Sequence, residues 1–333
     1  MSDSNASIIK EDLTIEQALR PLRWEEYFGQ DKIKRNLRII IEAAQKRSEV
    51  MDHVLFCGQA GLGKTTLAYL VGKELGASVK TTSGPALEKL GDMAAILSNL
   101  ESGEILFIDE AHRINRLIEE VLYPAMESRK LHLIVGKGPT ARSFSIDLPP
   151  FTLIAATTRE NLLSQPLRSR FGAIFRLDYY NLEDIKLILG RSAEILGIKI
   201  TPEAVGILSK AARATPRVVN RLLKRARDYA EVHGQPAIDE KIARKTLEMI
   251  DIDEAGLEPQ DKRLLEVIIN KFGGGPVGVG TLAAALNEDR GAIEEIYEPY
   301  LMTLGFLKRT PSGRLALPAA YDHLGIKRRG ELI

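Results

Sequence analysis

The sequence predicts an α/β domain, a parallel sheet with helices on both faces, followed by a small all-α domain and a winged-helix domain. Three observations predict this order. A short apolar run, a glycine-rich loop and a helix-spaced segment follow one another from His53 to Val71. Two later apolar runs end abruptly in polar residues, as strands buried on both faces of a parallel sheet do. The chain after 253 reads as three helices and a two-strand hairpin.

The glycine loop carries the sharpest signal. Gly58-Gln59-Ala60-Gly61-Leu62-Gly63-Lys64-Thr65-Thr66 fits G-x-x-x-x-G-K-[ST]. The run His53-Val54-Leu55-Phe56-Cys57 suits a buried strand before it, and Thr65–Val71 suits a helix after it. Glycines let consecutive N–H groups curl inward onto phosphate oxygens, and the helix aims its positive end at the same anion. Lys64 would then reach the outer phosphates, and the Thr65 hydroxyl would ligate a magnesium ion. Cys57 reads as a small core hydrophobe.

Ile105-Leu106-Phe107-Ile108 ends in Asp109-Glu110. Ligands of parallel sheets sit at the carboxyl ends of strands. Asp109 would hold the metal and Glu110 would act as general base on water. Phe151–Ala156 ends in Thr157-Thr158, where Thr158 senses a terminal phosphate or the pair merely terminates a strand. In Leu167-Arg168-Ser169-Arg170-Phe171-Gly172, the arginines are surface charges within one chain, or in a ring one of them stabilises charge at a neighbour's phosphoryl group.

Two alternating runs within 131–149 flank Gly136–Ala141, so a β-hairpin is expected with Phe144 and Ile146 on one face. Such an exposed apolar face suits a partner, or it folds back on its own domain. Asn181 caps a helix reaching about Leu196, and Thr201-Pro202 and Thr215-Pro216 start two more. Arg217 puts a cation in a first helical turn, against the helix dipole, unless a phosphate lies there; it reads as a second sensor, or as a solvated arginine beside Arg213 and Arg221. The expected domains are 1–180, 181–252 and 253–333. In the last, Glu294, Glu295 and Glu298 fall on the third helix, which suits it poorly to a major groove. Arg290, Lys308, Arg309 and Arg314 surround it, leaving phosphate contact or protein docking as the two readings of this domain.

Across 333 residues, 46 Lys+Arg balance 45 Asp+Glu, so any nucleic-acid site must be local rather than a property of the whole chain. A single cysteine rules out an internal disulfide and fits a reducing cytoplasm. No apolar run is long enough for a membrane span.

Taken in order, the phosphate loop, I-L-F-I-D-E, A-A-T-T-R and L-R-S-R-F-G resemble the AAA+ ATPases. Leu19-Arg20-Pro21, Phe28-Gly29-Gln30, Thr82–Pro85, Gly91–Leu97 and Gly136–Pro139 resemble the RuvB family, the bacterial Holliday-junction motors. That resemblance implies ATP and Mg2+ as cofactors and branch migration on double-stranded DNA at a Holliday junction. It further implies a hexameric ring, a RuvA-like partner on hairpin 131–149 and a RuvC-like resolvase. Residue by residue, it implies Leu19, Arg20 and Tyr180 at the adenine, and Gly61, Leu62, Gly63, Lys64, Thr65 and Thr66 at the phosphates. Thr65 and Asp109 hold the metal, Thr158 is the first sensor and Arg170 the finger. Glu127, Ser128 and Arg129 face the neighbour's nucleotide, Arg217 is the second sensor, and Arg290, Arg309 and Arg314 meet DNA. The chain departs from the family at Gln59-Ala60, where prolines are usual, and in Glu127–His132, which lacks an acidic-aromatic pattern.

Overall fold

The computed structural model describes residues 17–135 and 142–328. They fall into two compact units that divide between Leu187 and Ile188.

In the first unit, helix α1 (Asp31–Arg47) buries Ile33, Leu37, Ile41 and Ala44, one stripe at helical spacing. Strand β1 (Val54–Cys57) leads through the glycine loop into α2 (Lys64–Leu75). Then come β2 (Val79–Ser83), α3 (Leu90–Ser98), β3 (Ile105–Asp109) and α4 (Arg116–Ser128). A hairpin of β4 (Lys130–Val135) and β5 (Arg142–Asp147) precedes β6 (Thr152–Thr157), the short α5 (Gln165–Arg168) and β7 (Ala173–Arg176). Five strands pair in parallel in the order β2-β3-β6-β1-β7. β1 and β6 are buried along their whole length, which is why they read as unbroken apolar runs.

The register aligns the strand ends that matter. Cys57 pairs with Thr157, and Ser83 with Asp109. The polar residues after β1, β3 and β6 therefore line one edge of the sheet. One sheet face contributes Leu55, Leu106, Ile108, Leu153 and Ala155 to a core with Met93 and Leu97 of α3 and Ile118 and Leu122 of α4. α2 packs closely on the sheet: a Cβ at Gly72 would stand 2.3 Å from Val79 Cγ2. Cys57 is buried as expected, and burial pushes its thiol up to about 12.

The hairpin pairs Leu131 with Ile146 and Leu133 with Phe144. Leu131 is buried, whereas Phe144 and Ile146 are 50% and 39% exposed, so the apolar face anticipated from the alternation is present. The expected turn at 136–141 lies outside the described residues.

Helix α6 (Leu182–Ile195) is capped by Asn181, whose Oδ1 accepts from Asp184 N at 2.8 Å. The second unit holds α7 (Pro202–Lys210), α8 (Pro216–Val232) and α9 (Glu240–Met249), then the winged helix. Thr201 caps α7 through Ala204 N. Thr215 occupies the cap position of α8 but its hydroxyl donates back to Ala212 O at 3.4 Å, because Arg213 and Ala214 before it are left-handed.

The winged helix comprises α10 (Pro259–Glu266) running into a π-turn at Val267–Lys271, α11 (Val279–Leu286), and α12. The last is built from Arg290–Ala292, a π-turn Ile293–Tyr297 and Glu298–Thr303. Strands β8 (Leu307–Thr310) and β9 (Gly313–Ala316) form the wing, and α13 (Pro318–Leu324) closes it. Arg213 ties α8's start to this domain. Its guanidinium binds the fully buried Asp261 at 2.5 Å, lies 4.5 Å from the Tyr300 ring and donates to Ile296 O.

Candidate active site

Gly61 and Gly63 sit at φ 82° and 94°, and α2 begins directly after, at Lys64. Gly63 has a second reason to lack a side chain, since a Cβ there would lie 2.7 Å from Tyr27 Oη. Lys64 is only 6% exposed. Its Nζ donates to Gly58 O at 2.7 Å and Gln59 O at 2.9 Å, so the charge is held over the loop by the loop's own carbonyls. Leu62 is buried, and Thr66 is half-buried one residue beyond Thr65.

Thr65 Oγ1 donates to Asp109 Oδ2 at 3.2 Å. The phosphate loop and the acidic strand end thus meet, 44 residues apart in sequence. Asp109 Oδ1 accepts from Glu110 N at 2.9 Å. Glu110 itself is left-handed, φ 50°, a conformation that costs a non-glycine residue roughly 1–2 kcal/mol. Its carboxylate lies near His112, with Nε2 at 3.4 Å from Glu110 Oε2. His112 Nδ1 lies 3.0 Å from Thr157 Oγ1. Burial holds the His112 ring below the ordinary imidazole value. Thr157, the last residue of β6, also accepts from Arg159 N at 3.0 Å. Thr158 follows, half-buried and just past the strand. Sequence reasoning missed His112; its one signal was its place two residues after Glu110 in the same turn.

Tyr180 is buried, and its hydroxyl reaches Tyr27 Oη at 3.0 Å and Leu62 O at 3.1 Å. Tyr27 Oη reaches the same carbonyl at 3.4 Å. Burial pushes the Tyr180 phenol up to about 12, so it stays a donor. Two tyrosines thereby brace the phosphate loop at Leu62; Tyr180 was expected at the adenine, and Tyr27 was not singled out. Leu19 is buried, and Arg20 stacks on the Tyr69 ring at 4.6 Å.

Glu127, Ser128 and Arg129 end α4 together. Ser128 Oγ donates to Pro124 O, and Arg129 is the left-handed cap. Arg170 lies against them: Nη2 is 3.0 Å from Glu127 Oε1, Nη1 donates to Pro166 O, and the guanidinium sits 4.5 Å from the Tyr123 ring. Arg217 is exposed in the first turn of α8, in the second unit.

At the wing, Arg290 is exposed near Glu294. Arg309 and Arg314 converge on Glu298, which is fully buried. Arg314, expected to meet DNA, is turned inward. It is 8% exposed, with Nε donating to Glu298 Oε1 at 2.6 Å and Nη2 to Glu294 Oε1 at 3.0 Å. A guanidinium already matched by two carboxylates has little field left for a phosphate. The same pairs explain the acids on α12: Glu294 and Glu298 face their own wing.

A glycine-rich phosphate loop joined to an acid pair on a parallel β2-β3-β6-β1-β7 sheet, followed by a helical lid and a winged helix, defines a P-loop ATPase of the AAA+ class. Family models then match almost end to end: the Holliday junction DNA helicase RuvB P-loop domain over residues 19–177, the RuvB AAA lid domain over 180–253, and the RuvB C-terminal winged helix domain over 254–325. The chain belongs to the RuvB family and is a Holliday-junction branch-migration motor driven by a P-loop ATPase. Among solved structures it is similar to the RuvB Holliday junction branch migration motor of Thermotoga maritima, at 46% identity over 93% of this chain and 99% of that chain, TM-score 0.85. The K64R and R170A variants of Thermotoga maritima RuvB match at 45% identity with the same coverage, at TM-scores 0.86 and 0.84.

Proposed function

We propose that this chain binds and hydrolyses ATP with Mg2+ at the loop Gly61–Thr66, and does so in a homohexameric ring in the cytoplasm. The observation that carries the reading is the Thr65–Asp109 contact at 3.2 Å, which places a hydroxyl and a carboxylate oxygen together beside the phosphate loop. Two hard oxygen donors suit Mg2+, which takes its remaining ligands from phosphate and water. Among the described residues no cluster of three or more His, Cys, Asp or Glu offers an all-protein metal cage, so the ion would arrive with its nucleotide. Bound Mg2+ would neutralise charge on the phosphates during transfer.

The chain's own residues do the rest. Lys64 exchanges its two loop carbonyls for phosphate oxygens. Glu110 takes a proton from the attacking water, and Thr158 orients that water. Leu19, Arg20 and Tyr180 hold the base. Arg170, released from Glu127, reaches the nucleotide of the adjoining protomer, with Glu127, Ser128 and Arg129 beside it. Arg217 reports the nucleotide state to the lid (181–252) and, through Arg213 and Asp261, to the winged helix (253–333). The first domain is 1–180. Arg290 and Arg309 contact DNA phosphates, with Arg314 beneath them holding the wing. The exposed Phe144 and Ile146 accept a RuvA-like junction-binding protein, and a RuvC-like resolvase joins the same assembly.

The test is Lys64→Ala. Calorimetry is expected to show loss of ATP binding, and a four-way DNA junction is expected to stay unmigrated with ATP present. Normal ATP affinity would overturn the phosphate-loop assignment.

A further inference from the structure

The geometry points to His112 as a positioning residue for the catalytic base Glu110, with the ring's orientation set from the tip of β6. The inference rests on the reading of Glu110 as the base, and adds the residue that aims it.

The argument runs through proton inventory. His112 Nε2 faces Glu110 Oε2 at 3.4 Å, and an ionised carboxylate only accepts. With its proton on Nε2, the ring turns a donor toward that oxygen. The ring is 7% exposed, and burial disfavours its charged form. With one proton on Nε2, Nδ1 is bare and accepts. Its neighbour at 3.0 Å is the Thr157 hydroxyl, which must donate. Thr157 still has a lone pair for Arg159 N–H, at 3.0 Å, and that bond is made. In the series Arg159 N–H, Thr157 O–H, His112 Nε2–H, Glu110, each group then has one role.

The arrangement has a purpose that packing alone lacks. Glu110 is left-handed and its side chain is 39% exposed; without a partner the carboxylate would sample several rotamers. A neutral donor on Oε2 fixes it while leaving Oε1 to accept a proton from water. A cationic partner would fix it as well, at the expense of basicity. Two members of the series, Thr157 and Arg159, flank Thr158, so the base after β3 is tied to the tip of β6, where the residue proposed to orient the water follows. Positioning of this kind matters because a base must be within about 2.6–3.2 Å of its proton to supply its ~10²–10⁴-fold.

Steady-state and single-turnover ATPase, ATP affinity and melting temperature of the full-length assembled protein test this in five variants. His112→Asn keeps a polar atom near Nδ1 and loses the Nε2 donor; kcat is expected to fall at least about tenfold, a part of the base's full factor, with KM and ATP affinity little changed. His112→Gln places an amide N–H near Nε2 and is expected to restore much of that loss. Thr157→Val, buried and near in shape, releases the ring's orientation and is expected to lower kcat with KM unchanged. In a Glu110→Gln background, single-turnover hydrolysis is expected to be insensitive to His112→Asn, since there is no base left to aim. Unchanged kcat in His112→Asn overturns the inference. So does an equal loss with and without Glu110, which would mark His112 as a packing residue. If His112→Asn melts early, the Gln and Val variants decide by the same kcat-against-KM reading. Normal turnover by Glu110→Gln alone would instead remove Glu110 as the base, a separate failure.

Discussion

Lys64, Thr65 and Asp109 were legible in the sequence because their chemistry is written in short motifs. His112 and Tyr27 were not, because each acquires its meaning from a partner far along the chain: Thr157 for His112, and Tyr180 and Leu62 for Tyr27. His53 belongs with them. Its Nδ1 accepts from Leu153 N at 2.8 Å and its Nε2 donates to Met126 O at 3.2 Å, so the neutral ring cross-links β1's approach to β6 and α4. Burial holds its pKa below 6.5 in the fold. The folded state therefore binds fewer protons than the unfolded chain, and the stability is present above the unfolded value and lost as pH falls below it. Melting temperature is expected to drop from pH 7.5 to about pH 5.5, and His53→Gln is expected to lower it at neutral pH and flatten the slope. An unaltered slope would assign the effect elsewhere.

Elements were recovered in nearly the order anticipated, since buried parallel strands read as apolar runs and helices announce their caps. The parts not legible are those set by packing. The π-turns within α10 and α12 have no composition signal, and the Thr215 hydroxyl turns away from its cap because the preceding pair is left-handed. The wing is the clearest case. Its arginines read as equivalent in sequence, yet Arg309 is 48% exposed and Arg314 is sealed on Glu298 and Glu294. The two are expected to behave differently on substitution. Arg309→Ala should flatten the salt dependence of duplex affinity by about one unit of log–log slope. Arg314→Ala should destabilise the winged helix by roughly 1–3 kcal/mol, through the carboxylates left under-matched. Equal changes in salt slope for both, with no loss of melting temperature for Arg314→Ala, would contradict this division of labour.

For the whole molecule, composition limits what the charge can do: with a formal net charge of +1, attraction to DNA has to come from a local patch rather than from the chain's overall field. The second unit contains lid and winged helix together, joined at Arg213 and Asp261, so a change at the start of α8 has a covalent and an ionic route to the wing. In the first unit, Arg170 rests on Glu127 of its own chain, next to the residues proposed to meet a neighbour. The central claim is that one protomer holds the nucleotide and the next completes the site. The direct measurement is ATPase complementation between two inactive variants. Lys64→Ala retains the arginine and loses the nucleotide; Arg170→Ala retains the nucleotide and loses the arginine. Each alone is expected to be inactive, and mixed subunits are expected to regain hydrolysis where an intact arginine faces a filled site. A mixture as inactive as its components, with mixed assembly verified, would contradict a site shared between protomers.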